Sequence, residues 1–458
     1  MPSATSRARP ALPCRLRIRR AFGLCALLAG WIGGLPASPA AAAPEEPHQR
    51  ERRAGAPLAI VDATIITASG PMLHNATILL RGGKIAAVGL NVDVPKDVEV
   101  VRGKGLFVMP GLVETHSHLG VYALPEVEAH ADGNEWSDPV TPHMRAIDAV
   151  HGGDPAVERA VAGGVTTIQV LPGSANVVGG QSTVLKLRGG TAEQMRFEGA
   201  PAGMKLAFGE NPKRTYGQDQ QRTPFSRMGT AAVLRQALAQ ARDYQRKWSD
   251  YQARQAKGKD GGSDDGPPAR DLRLEALADL LEGKFRAHVH VYRADDILTV
   301  FRIADEFGIK IASLQHCLEG YKVAEEIARR QVGVATFADH WGFKMEALEA
   351  TPENALRLRR AGVRMALQTD HPVIEQRYLI HQAARAVRYG LSEADAYRAV
   401  TLDPAWMLGV DDRIGSLEAG KDADVIVFDG PPLSIRSHVV RTIIDGVTVY
   451  ETKKEIAK

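Results

Sequence analysis

Cysteine is nearly missing from this chain, whose 458 residues hold 3. Cys14 and Cys25 lie in an N-terminal stretch that reads as removable. Cys317 alone cannot close an internal bridge, so a disulfide-stapled scaffold is excluded. A lasting excess of one charge is missing too. The formal charge is +3, but the charges before residue 44 are all arginines: Arg7, Arg9, Arg15, Arg17, Arg19 and Arg20. Without them the chain is mildly acidic, which argues against nucleic acid as a partner. Low-complexity composition is absent, since 44 Gly and 26 Pro mark turns rather than a repeat. With 44% hydrophobic and 24% charged residues, disorder and a polytopic membrane protein are excluded as well. At about 150 residues per domain the length suggests three domains, although a barrel runs to roughly 250 as one.

What is present begins with an address. The arginine cluster is followed by an apolar run, Ala21 to Leu35, then by small residues up to Ala43 and by Pro44-Glu45-Glu46. That order makes a secretory signal over residues 1–43, and the run is too short and Gly-rich for a spanning helix. Arg19-Arg20-Ala21-Phe22 also resembles a twin-arginine signal, with Ile18 where Ser or Thr is usual. The expectation is an exported protein, periplasmic or extracellular, beginning near Ala43 or Pro44, with no stable membrane insertion after signal removal. Both export routes stay open.

Residues 57–109 read as strands broken by Gly, Pro and Asn, and the pattern returns over 413–452. The two ends are expected to build one small β-sandwich. Between them, 110–412, eight short apolar runs end in polar residues: LFVMPGLVETHSH, GVTTIQVLPG, STVLKLRGG, AGMKLAFGEN, FRAHVHVYR, IKIASLQHC, VGVATFADH and VRMALQTDHP. Helical patterns separate many of them. Such alternation predicts a parallel sheet closed into a (β/α)8 TIM barrel, with its site at the C-terminal strand ends. A segment near 211–284 breaks the rhythm and reads as an insertion that caps the site or decorates the surface.

His116 and His118 are two apart on a strand, so both rings point one way and can reach one cation at about 2.1 Å. His288 and His290, His316 and Asp370 fall at other strand ends. Buried histidines scattered through a core would each need a partner, so their recurrence at strand ends points to a metal site. Tyr292, Arg293, His340, Trp341 and Lys344 follow strand ends and are candidate substrate contacts, as are Arg214 and Arg227 on the insertion. Asn176 and Gln181 follow the second strand; His130, His143 and His151 are expected to be solvated.

MPGLVETHSH, AHVHVYRADD, QHCLEG and QTDHP, with FGENPKR and ADHWGFKMEA, resemble the metal-dependent amidohydrolase superfamily, in particular its imidazolonepropionase-like branch. The likeness covers the chain after residue 57. It implies that His116 and His118 bind the more buried metal, His290 (favoured over His288) and His316 the more exposed one, and that Asp370 binds metal and acts as general base and acid. It also implies a bridging group on the fourth strand, Glu210 or a carboxylated Lys205, with Glu210 favoured for its ready charge. The cofactor implied is one or two divalent ions per chain, most suitably Zn²⁺ for imidazole and carboxylate ligands. The activity implied is hydrolysis of an amide or cyclic amide, a dipeptidase included. Alternatives are a deaminase of an aminated ring, a lactone or phosphotriester hydrolase, and, least, a metal-free scaffold. The partner is a small-molecule substrate, and a homo-oligomer stays open.

Overall fold

The computed structural model describes residues 55–256, 266–339 and 342–452. The expected signal over 1–43 lies outside them, as do His340 and Trp341.

The described chain opens with β1 (Leu58–Ile65), β2 (Leu73–Arg81), β3 (Lys84–Gly89), β4 (Glu99–Arg102) and β5 (Phe107–Pro110). The barrel strands follow: β6 (Leu112–Ser117), β7 (Val165–Val170), β8 (Val178–Lys186), β9 (Gly203–Ala207), β10 (Arg286–Val291), β11 (Ile311–His316), β12 (Gly333–Thr336) and β13 (Met365–Leu367). Then come β14 (Val425–Phe428), β15 (Val439–Ile444) and β16 (Val447–Glu451).

The two ends meet in the flanking β-sandwich, ordered β16-β15-β14-β5-β1-β2-β3. β1 makes two layers by dividing its partners. Its first half runs parallel to β4, and Thr64 and Ile65 run parallel to β5. Ile60, Ile65, Ile78, Val108, Val425 and Ile443 fill the space between with essentially no exposure. β15 and β16 are joined by Asp445-Gly446, with φ of 51° and 76°. That left-handed pair suits the twist of a two-residue hairpin, and Asp-Gly tolerates it.

All eight expected barrel strands form, in sequence order around the sheet. A bridge from Ser117 to His371 closes the ring, and the His118 N–H donates to the His371 carbonyl at 3.0 Å. The structure corrects the expected all-parallel sheet at one strand. β8 is antiparallel to both β7 and β9. A parallel return needs a crossover of about a dozen residues or more. The link Leu171–Val177 is too short for one, so the chain turns straight back. The start of β8, rather than its end, therefore lies level with the C-terminal ends of its neighbours.

The expected insertion is an enlarged crossover between β9 and β10. It holds a helix at Arg227–Ala256 and a shorter one at Leu272–Leu281. Leu234, Leu238 and Ala241 of the long helix are buried in the core shared with Phe301 and Ile303 of the next helix, Ala294–Phe307. The long helix is thus a side wall, and only its first turn approaches the strand ends.

Candidate metal centre

Strand alternation places most of the site. Glu114, His116 and His118 share the inward face of β6, and β10 carries His288, His290 and Tyr292 on that face. His316 follows the inward Gln315, and simple alternation would turn it out. Its backbone takes a φ of 68°, followed by Cys317 at 43°. That left-handed turn brings the His316 ring to 4.5 Å, centroid to centroid, from both His116 and His290. Asp370 sits at a φ of 52°. Such conformations cost non-glycine residues on the order of 1–3 kcal/mol and persist where the surroundings enforce them. Here the Cys317 N–H donates to the Val291 carbonyl at 2.8 Å.

One nitrogen of each imidazole is fixed by a neighbour, which leaves the other for a ligand. His118 Nδ1 donates to the Leu171 carbonyl at 2.8 Å, and His116 Nδ1 donates to Gln315 Oε1 at 3.1 Å. Their Nε2 atoms each lie 3.3 Å from Asp370 Oδ1. His290 Nδ1 pairs with Ser174 Oγ at 2.9 Å; His316 Nδ1 lies 2.7 Å from the Gln368 side-chain amide, whose oxygen must face the ring for Nε2 to keep its lone pair. Nε2 of both is buried without a partner among the described residues. Donor atoms of His116, His316 and Asp370 all lie within 4.8 Å of one another. Burial holds His116, His290 and His316 well below the usual imidazole range, in the neutral form that offers a lone pair.

Lys205 is buried in the same cluster. Its Nζ lies 3.5 Å from His116 Nε2 and donates to the Pro172 carbonyl at 3.0 Å. Burial pulls the ammonium down to about 7, with Asp370 opposing. Glu210 lies elsewhere: it pairs with Lys344 at 3.4 Å, and its N–H donates to Glu346 at 2.9 Å. The group beside the histidines on the fourth strand is therefore Lys205. Glu210 begins a short helix past the strand end, and the chain has already left the barrel wall there.

The other candidates divide. His290 is in the cluster, whereas His288 turns to Ser313 Oγ at 2.8 Å and burial pushes it down to about 3. Tyr292 stacks on His316 with ring centroids 5.1 Å apart, and Lys344 Nζ lies 4.0 Å from the Tyr292 ring centroid. Arg293 turns away to Asp295. Arg214 is exposed, while Arg227 joins Asp296 and Glu346 at 3.0 Å each. Asn176 is buried against Thr141, Glu135 and Tyr216, and Gln181 donates to the Pro142 carbonyl; both are structural. His130 and His143 are half-buried rather than solvated.

Glu114 went unread in the sequence. Its carboxylate accepts from the N–H of His116 at 3.1 Å and from the N–H and Oγ1 of Thr369 at 2.8 Å each, and burial raises it to about 8. It ties the first histidine strand to the residue before Asp370. Its signal was its place in ETHSH, two residues before His116 on the same strand face.

With this geometry in hand, comparison with known proteins is informative. The pattern of the amidohydrolase family matches residues 107–452. The chain is 32% identical over 385 residues to the amidohydrolase tasK of Hapsidospora irregularis, covering 80% of this chain but only 38% of that longer protein. It is 25% identical to a 5-methylthioadenosine/S-adenosylhomocysteine deaminase of Symbiobacterium thermophilum, covering 86% of this chain and 93% of that one. Among solved structures, an amidohydrolase from Thermotoga maritima superposes with a TM-score of 0.80 at 41% identity, covering 86% of this chain and all of that one. A match over most of the chain, in the fold and with histidines and an aspartate gathered at the strand ends, means that this protein belongs to the amidohydrolase family, generally metal-dependent hydrolases of carbon–nitrogen bonds in small molecules.

Proposed function

We propose that the protein is an exported hydrolase of small amides or cyclic amides, dipeptides among them, that holds one or two divalent ions, most suitably Zn²⁺. The observation that carries the reading is the gathering of His116, His118 and His316 around Asp370 with His290 against His316, two of these rings having buried Nε2 atoms that no described residue satisfies. A buried nitrogen left without a partner costs about 1–3 kcal/mol, so these atoms fit ligand positions. His116, His118, His290, His316 and Asp370 would hold the ions, and Lys205, in carboxylated form, rather than Glu210 would supply the fourth-strand ligand. A bound divalent ion supplies Lewis acidity and brings the pKa of water to about 7. Asp370 lies beside the histidine Nε2 atoms, where its carboxylate can accept the proton of the attacking water and hand it to the leaving nitrogen. Tyr292 and Lys344 wall the His316 side and can orient the substrate.

A deaminase is the second reading, favoured by the likeness to the deaminase named above over most of both chains. The same proton transfer would then release ammonia from an aminated ring. The test is metal analysis of purified protein followed by a panel of dipeptides, N-acyl amino acids, cyclic amides, lactones and aminated heterocycles. New amine and carboxylate ends support the hydrolase; ammonia release from a ring supports the deaminase; full activity in verified metal-free protein rejects both.

Export is supported by the arginine, apolar and small-residue order of residues 1–43. N-terminal sequencing of periplasmic or secreted material should begin near Ala43 or Pro44, and recovery of Met1 there would reject removal of the signal.

A further inference from the structure

We infer that His288, Ser313 and Gln315 form a one-way hydrogen-bond chain that positions His116 for its ligand role. The inference rests on the metal reading proposed above. His288 is one of the histidines the sequence singles out, and the cluster of ligand candidates does not use it.

Gln315 Oε1 faces His116 Nδ1 at 3.1 Å, and Gln315 Nε2 donates to Ser313 Oγ at 2.6 Å. Ser313 Oγ, already accepting, has its own hydrogen for His288 Nδ1 at 2.8 Å. His116, Gln315 and Ser313 have no exposure and His288 has 2%, so water does not compete for these bonds. An amide side chain has one accepting and one donating end. The orientation of Gln315 therefore couples the two histidines. With the oxygen toward His116, the ring carries its hydrogen on Nδ1 and keeps a lone pair on Nε2. With the amide reversed, Nδ1 would accept, the hydrogen would move to Nε2, and the ligand atom would be lost.

The ligand role selects the first sense. His116 Nε2, which Asp370 Oδ1 approaches at 3.3 Å and Lys205 Nζ at 3.5 Å, needs its lone pair to hold an ion. His288, Ser313 and Gln315 are positioning residues: they act through His116 and touch no reacting atom.

The test uses the full chain, stripped of metal, and measures the Zn²⁺ dissociation constant by competition with a chelating dye, beside the melting temperature of the metal-free protein. Ser313→Ala and His288→Leu each remove the end stop, so Gln315 can reverse. His288→Asn keeps an acceptor where Nδ1 was. The expected result is Zn²⁺ binding weakened about 10–100-fold in Ser313→Ala and His288→Leu, and held within about threefold in His288→Asn, whatever the shifts in melting temperature. Binding within about threefold of the parent in all three overturns the proposal. Should variants not fold, ¹⁵N spectra of the parent's histidines, with His116 assigned by difference, decide it: hydrogen on Nδ1 supports the chain and hydrogen on Nε2 overturns it. A parent that binds no metal defeats the proposed function, and the same spectrum still decides the hydrogen-bond chain.

Discussion

Asp370 and the imidazoles around it should separate on substitution. Asp370→Asn keeps shape and an oxygen but removes the proton acceptor proposed above, so turnover should fall about 10²–10⁴-fold with most of the metal kept. His116→Ala removes a proposed ligand outright and should lose metal and rate together. Metal content and kcat measured side by side check the contrast; near-native turnover in Asp370→Asn would assign the base elsewhere. Lys205→Met should likewise deplete metal, whereas Glu210→Gln should leave metal content unchanged and act through Lys344. The difference between these two marks where residue-level reading stopped. Strand ends and two-residue spacing were enough to single out the histidines and the aspartate. Spacing could not rank Lys205 against Glu210. A preformed charge favoured the glutamate, but the strand ends at Ala207, so only Lys205 still faces inward. Nor could spacing predict His316, whose ring is turned inward by a left-handed backbone that no pattern of side chains encodes.

At the level of elements, the long helix Arg227–Ala256 offers a clean distinction between lid and wall. Leu238 is fully buried against the barrel core. Leu238→Ala should cost about 2–5 kcal/mol of stability, read in denaturant titration, while kcat/KM of the folded protein stays near the parent value. A loss of kcat/KM without loss of stability would make the helix a lid. The eight barrel strands were legible because short apolar runs bounded by turn residues are a strong local signal. Their direction was not. An apolar run has no arrow, and the reversal of β8 follows from the length of the Leu171–Val177 link, which an expected all-parallel barrel passed over.

Across the whole molecule, Lys186 joins barrel to sandwich. It ends β8 with no exposure, and its ammonium meets Asp422 at 2.8 Å, Asp424 at 3.1 Å and Asp445 at 2.5 Å. Burial works against this ammonium, but the three carboxylates outweigh it and raise its pKa. A raised cation contributes stability in full below its ordinary range and loses it only as pH climbs past the folded value. Asp422 is depressed: burial opposes, and Arg413 and Lys186 prevail. Its contribution is present above the ordinary carboxylate range and lost as pH falls through the folded value. Lys186→Met leaves the carboxylates facing one another and should cost about 3–5 kcal/mol near pH 7. The gap in melting temperature between parent and variant should shrink on acidification below the carboxylate range; a gap independent of pH would show that packing, not charge, is at stake. No charge pattern in the sequence flagged this cluster, because its members lie on three separate segments that meet only in the folded chain.

The β5–β14 pairing has a consequence in time. β5 leads into the first histidine strand, yet its neighbour β14 emerges from the ribosome only after the whole barrel has been made. Through that interval β5 has a bare edge, the kind of template on which chains join one another. Lys186 waits as long for Asp422 and Asp424. Maturation is thus gated late: barrel strands can collapse early, but the joint that anchors them locks only when β14–β16 arrive. A nascent chain halted before Asp422 should therefore be captured by holding chaperones and cut readily by protease, and release of the following segment should end both.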